Sequence, residues 1–174
     1  MRDIDLAYLA GIVDADGYVT ATASHRKGRA YFGAQIGITG SRREPHDIAA
    51  SIFGGNVTSH RPNRDRAHHL TQYHWQIGGR RAVPIIEALL PYLRVKAHRA
   101  RLVLMLQEQI DLLREFREMG DPAPWQPPDW DPTPSLWAMV EEIREVGVRA
   151  GRELDGRTWD GFPVGLPPEA VPGA

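Results

Sequence analysis

The 174-residue chain has no cysteine, which excludes disulfide bonds and thiolate-bound zinc and gives no sign of an oxidising compartment. Long apolar runs are missing too. No stretch is long enough to span a membrane, and Met1-Arg2-Asp3 does not open a signal peptide, so a cytoplasmic protein with no membrane partner is expected. Lysine is scarce: Lys27 and Lys96 are the only two. Net charge is nearly absent at −1, but that figure hides an uneven distribution. Residues 1–117 carry 17 basic and 11 acidic side chains, a balance of +6, together with all seven histidines. Residues 118–174 carry four and 11, a balance of −7, together with ten of the 14 prolines and four of the five tryptophans. The shift divides the chain into a basic domain over 1–117 and an acidic, Pro- and Trp-rich extension over 118–174. A basic half attracts a phosphate backbone, because neutralising phosphates releases counterions.

The most informative run is Leu9-Ala10-Gly11-Ile12-Val13-Asp14-Ala15-Asp16-Gly17. It is apolar and small, then ends in two carboxylates and a glycine. A helix prefers cations in its last turn, against the negative end of its dipole. Carboxylates gathered there with free backbone carbonyls make a setting for a bound cation. A calcium loop is excluded, since the third acidic position and the later glutamate are absent.

The periodicities predict a helix from Ile4 to about Asp14, capped by Asp3 or Asp5, and a strand over Tyr18–Ser24. The basic turn His25-Arg26-Lys27-Gly28-Arg29 leads to a strand over Tyr31–Thr39, and Arg42–Phe53 reads as a helix. Asn56–Arg61 and Leu70–Ile77 form a second hairpin around a loop holding Arg64 and Arg66; Val83–Leu90 and Lys96–Phe116 read as helices. The expected fold is α+β, with an α-β-β-α-β-β-α core around a four-stranded antiparallel sheet. Alternation puts Val19, Ala21, Ala23, Phe32, Ala34, Ile36 and Ile38 inward. Tyr18, Thr20, Thr22, Ser24, Tyr31 and Gln35 face outward, with Gln72, His74 and Gln76 beside them. That outer face carries amides, hydroxyls and rings without Lys or Glu. Such groups suit base edges, while Arg26, Lys27, Arg29, Arg61, Arg64 and Arg66 at the loop tips suit phosphates.

Leu9–Gly17 also resembles the signature of the LAGLIDADG homing endonucleases, matching its name-giving string at seven of nine positions with Ile12 and Val13 as apolar replacements. A second likeness lies in Pro91-Tyr92-Leu93-Arg94-Val95-Lys96 and the helix that follows. The resemblance covers roughly residues 4–117. It implies the core just described and a site-specific nuclease that hydrolyses phosphodiester bonds in double-stranded DNA with magnesium or another divalent metal. It further implies Asp16 as metal ligand, helped by the Gly17 carbonyl, with Asp14 structural. Lys96 would be a cation near the reacting phosphate, and Arg42, or its neighbour Arg43, the basic residue the family places after the second strand; the family's glutamine at the end of that strand falls on Ile38, with Thr39 and Gln35 nearby. One motif and no second Asp-Ala-Asp-Gly imply a homodimer on a long pseudo-palindromic site, its motif helices packed through the small residues Ala7, Ala10 and Gly11. The same likeness implies a protein working at the nucleoid and encoded by a phage, an intron or another mobile element.

Two other function classes stay open from the residues: a non-catalytic relative acting as an intron RNA maturase or DNA-binding regulator, and a plain α+β interaction domain. His60, His68, His69 and His74 make a poor zinc set, being partly adjacent in sequence and without cysteine. In the extension, Ser135 to about Val148 reads as one helix with Leu136, Met139, Val140 and Ile143 on a stripe, expected to pack on the core domain or a partner subunit. The tail from Glu153 to Pro163 is similar to short C-terminal segments of phage proteins and assigns no chemistry.

Overall fold

The computed structural model describes residues 2–27, 29–61, 70–119 and 131–154. Gly28, Arg64, Arg66, His68, His69, Trp125, Trp130 and the tail beyond 154 lie outside the described residues, as does the side chain of Arg26.

The motif forms α1 (Asp3–Asp16), a helix that continues to the second aspartate of the run. The expected cap at Asp3 or Asp5 is corrected: Arg2 is the N-cap, and both aspartates lie inside the first turn, where their charge meets the positive end of the dipole. Arg2 Nη2 also pairs with Asp5 at 3.0 Å. The helix runs into β1 (Gly17–Arg26) without a loop, and Gly17 makes this possible. Its N–H donates to the carbonyls of Ile12 and Val13, and a Cβ there would lie 2.7 Å from both the Gly37 oxygen and the Val13 Cα. β1 turns through Lys27, at φ 49°, into β2 (Arg29–Gly40), with Gly17 opposite Ile38 and Arg26 opposite Arg29.

After β2 comes α2 (Glu44–Phe53), starting at Glu44 rather than Arg42 with Pro45 in its first turn, where a missing N–H costs nothing. β3 (Val57–His60) and β4 (Gln72–Gly78) follow, then a 3₁₀ turn at Gly79–Ala82 and α3 (Val83–Leu89). The long helices α4 (Ala97–Met119) and α5 (Thr133–Leu154) complete the described chain. The four strands make one antiparallel sheet in the order β1-β2-β4-β3, so the expected α+β architecture is the one found.

The register explains the two faces. Val19 opposes Ile36, Ala21 opposes Ala34, Ile36 opposes Ile77 and Ile38 opposes Trp75. These residues are buried with Leu9, Ala10 and Val13 of α1, Ile86 and Leu89 of α3 and Val103 and Leu106 of α4. Trp75 is anchored by its indole N–H, which donates to the Gly54 carbonyl at 2.8 Å. α5 joins the same core through Leu136, Val140 and Ile143, and packs on α4 and β1.

Candidate functional site

The end of α1 gathers the chemistry. Asp16 is exposed, and its carboxylate has no hydrogen-bond or ion-pair partner among the described residues. Its main-chain carbonyl accepts from Thr39 Oγ1 at 3.2 Å, which brings the end of β2 beside it. Thr39, rather than Ile38 or Gln35, is therefore the polar side chain of β2 nearest the aspartate. Ile38 is 1% exposed and faces the core. Gln35 Nε2 is engaged elsewhere, donating to Gln76 Oε1 at 3.2 Å.

Asp14 and Lys96 exchange caps across more than 80 residues of sequence. The Asp14 carboxylate accepts from the backbone N–H groups of Arg94 (2.6 Å), Val95 (3.1 Å) and Lys96 (2.9 Å), which lead into α4. In return Lys96 Nζ donates to the α1 carbonyls of Val13 at 2.8 Å and Asp14 at 2.5 Å. A helix C-terminus leaves such carbonyls unpaired and carries the negative end of the dipole, so an ammonium is favoured there. Lys96 is half-buried. Burial holds its pKa below the ordinary lysine value, Asp14 opposes that, Arg99 adds to it, and Asp16 opposes it more weakly. Its ammonium is thus fixed at the same helix end as Asp16.

Arg42 stays on the surface ahead of α2 and makes no hydrogen bond or ion pair to Asp16 or Lys96 in the single chain. Its neighbour Arg43 is tied to Asp47 at 3.1 Å.

The register puts Tyr18, Thr20, Thr22, Ser24, Tyr31 and Gln35 on the outer face of the first hairpin, and Gln72, His74 and Gln76 on the same face of β4. Tyr18 lies across Gly37, where a Cβ would meet its ring at 2.6 Å, and its hydroxyl donates to Gln76 Oε1 at 2.9 Å. Burial of this phenol raises its pKa. Thr22 Oγ1 donates to the Gly33 carbonyl at 3.1 Å, whereas Ser24 and Tyr31 are exposed near the hairpin tip with Lys27 and Arg29. Arg61 is exposed just past β3. His74 and Gln76 also line a concavity of about 330 Å³ together with Asn56, Thr58 and Arg81. Asn56 and Arg81 escape a reading by strand alternation because they lie just before β3 and in the 3₁₀ turn, and β3 is only four residues long, too short for alternation to single out Thr58; the Arg80-Arg81 pair is the only local signal.

Of the small residues on α1, Ala7 and Gly11 are exposed, and nothing comes within 4 Å of a Cβ built on Gly11. Ala10 is on the opposite side, fully buried in the chain's own core. The open side carries Ile4, 71% exposed, and Tyr8, 44% exposed, so α1 is apolar on both sides.

Among the described residues no group of three or more His, Asp or Glu side chains could hold a metal, and no helix is long and apolar enough to cross a membrane.

No protein-family model matches the chain, and no curated protein does. Solved structures do. The chain is similar to the homing endonuclease I-CvuI in complex with its target in the presence of calcium, at 23% identity over 90% of this chain and 85% of that one, with a TM-score of 0.54. It is similar to the archaeal intron-encoded homing endonuclease I-Vdi141I complexed with DNA, at 11% identity over 85% and 99% of the two chains and a TM-score of 0.51. A third likeness is to the LAGLIDADG homing endonuclease I-GzeII in complex with a DNA target, at 12% identity over 80% of this chain and 43% of that one, with a TM-score of 0.54.

Proposed function

We propose that this chain, which has the fold of the LAGLIDADG homing endonucleases, is a site-specific DNA endonuclease that acts as a homodimer with a divalent metal. The observation that carries the reading is the exposed Asp16 carboxylate, without a partner among the described residues, at the junction of α1 and a polar sheet face, with the Lys96 ammonium held at the same helix end. Residues 1–117 form the endonuclease core in this reading, and 118–174 an extension whose helix packs back on it.

The sheet face supports DNA as substrate. Tyr18, Gln35, His74 and Gln76 offer donors and acceptors suited to base edges, and the exposed Lys27, Arg29 and Arg61 offer cations suited to phosphates. The three solved relatives named above are each bound to their DNA or target, which adds to the same reading.

The open side of α1 supports a homodimer. Ile4, Ala7, Tyr8 and Gly11 are apolar or small, and a second copy of the same helix about a two-fold axis would cover them and bring two Asp16 side chains side by side. The donor set fits magnesium better than zinc. One carboxylate per chain is too few for a closed site, but magnesium keeps several waters and takes one or two carboxylates with phosphate oxygens. A bound divalent ion supplies an activated water and offsets charge on the phosphate. The chain's own part is to hold that ion with Asp16 and to set the Lys96 cation against the charge that develops as the bond breaks. Arg42, whose side chain is exposed and without a partner among the described residues, is a further cation for the DNA backbone.

Cleavage of a randomised DNA library with magnesium, comparing the wild type with Asp16→Asn, tests the reading. Sequence-specific cutting that disappears in the variant is expected. Specific binding with no cutting in either protein would overturn the nuclease and leave a regulator; binding to structured RNA alone would identify a maturase.

A further inference from the structure

The cleavage reading leaves α5 without a role, yet one side chain of α4 lies between it and the strand that leaves the proposed centre. We propose that Arg99 is a positioning residue through which α5 holds the first turn of α4, and with it Lys96, in place beside Asp16. The inference rests on the nuclease reading for its consequence but not for the coupling itself.

Arg99 follows Lys96 by three residues, in the first turn of α4, close enough that its charge acts on the Lys96 ammonium. Its Nη2 donates to Thr20 Oγ1 at 3.1 Å, on the strand that leads directly away from Asp16 and Gly17. Its Nε is buried and has no hydrogen-bond partner among the described residues. Burial lowers the pKa of the guanidinium. An arginine in such a seat costs stability rather than adding to it, unless it holds something in place.

The seat itself is made by α5. A Cβ built on Gly147 would lie 2.5 Å from Arg99 Nη1, 2.6 Å from Cζ and 3.0 Å from Nη2, so the guanidinium fills the space that any other residue at 147 would take. Glycine is a poor choice inside a helix, and here its missing side chain is the notch. One planar group therefore touches α5 at Gly147 and β1 at Thr20 while being carried by the first turn of α4. That turn follows directly on residues 94–96, whose N–H groups donate to Asp14 and whose lysine caps α1. Displacing Arg99 would loosen the connection from both sides.

The full chain carrying Gly147→Val, which fills the notch, or Arg99→Lys, which keeps the charge without the planar fork, provides the test, with the double variant alongside. In hydrogen exchange, each single variant is expected to speed exchange about tenfold or more at the amides of Arg94, Val95 and Lys96 and around Thr20, as local opening there becomes easier. Faster exchange confined to α5 would overturn the coupling. On a cleavable target, the single-turnover rate is expected to fall about tenfold or more, since small misplacements of catalytic groups are costly, while DNA affinity stays within about threefold. The double variant should be no slower than the slower single one, because both act through one contact. An unchanged cleavage rate in variants with loosened amides would overturn the positioning role. If the wild type cuts no DNA, the nuclease reading fails, and the exchange measurement still decides whether α5 holds the turn.

Discussion

Asp14 and Lys96 are the residues whose roles the fold changed most. A carboxylate between an apolar run and a glycine reads as a cap, but its partners belong to a segment distant in sequence. Replacing it leaves three N–H groups without an acceptor just ahead of α4. Asp14→Ala is therefore expected to lower stability by about 2–4 kcal/mol in urea unfolding, with Asp14→Asn milder because the amide retains one acceptor. A loss below about 0.5 kcal/mol would mean that water replaces the carboxylate at no cost. Tyr18 gives a pH prediction. Its pKa is raised by burial, so in the interval above pH 10 the folded chain holds a proton that the unfolded chain has lost, and its contribution to stability declines as pH rises through the folded value. In an ultraviolet titration, the difference between wild type and Tyr18→Phe should be a phenol ionising above its ordinary value of 10.0. Arg99 was illegible in the sequence, because nothing local distinguishes it from Arg101.

Helices and strands were legible where one side of each is apolar. The alternation of β1 and β2 predicts their buried sets, and the register pairs them as expected. Ends were less legible. α1 extends to Asp16 because Gly17 can sit against the backbones of Val13 and Gly37, a tertiary fit that no propensity reports. α5 was readable as a helix but not in its placement. Its Trp137 stacks on His25 with ring centroids 5.5 Å apart and meets Phe32 edge-on at 5.3 Å, bracing the first hairpin near its tip. Removing that ring should be felt beyond α5. Trp137→Ala is expected to cost about 2–4 kcal/mol in thermal unfolding and to speed amide exchange in the hairpin near Ala23 and Phe32. Faster exchange in α5 without any change in the hairpin would show that the brace is local.

The molecule as a whole turns on which side of α1 faces its own core. The helix is apolar all round, so hydrophobic periodicity does not choose between sides. The structure buries Leu9, Ala10 and Val13 and leaves Ile4, Ala7, Tyr8 and Gly11 outward, which is the basis for the proposed dimer. Gly11 is the place to test it, because a side chain added there meets nothing within 4 Å in the single chain. Gly11→Arg should fold with undiminished stability yet sediment as a monomer and lose double-strand cutting. A stable dimer in that variant would place the interface elsewhere.

The sequence by itself determined the order of helices and strands, the polar outer face of the sheet and the short motif ending at Gly17. Each of these depends on near neighbours: a side-chain period, a helix end, a glycine after an aspartate. Only the tertiary structure decided that Lys96 caps α1 while Asp14 caps the approach to α4, that Ala10 faces inward, and that Gly147 seats Arg99 against Thr20. These are meetings of groups distant in the chain. They are set by how the helices close over one face of the sheet, and no local pattern encodes that closure.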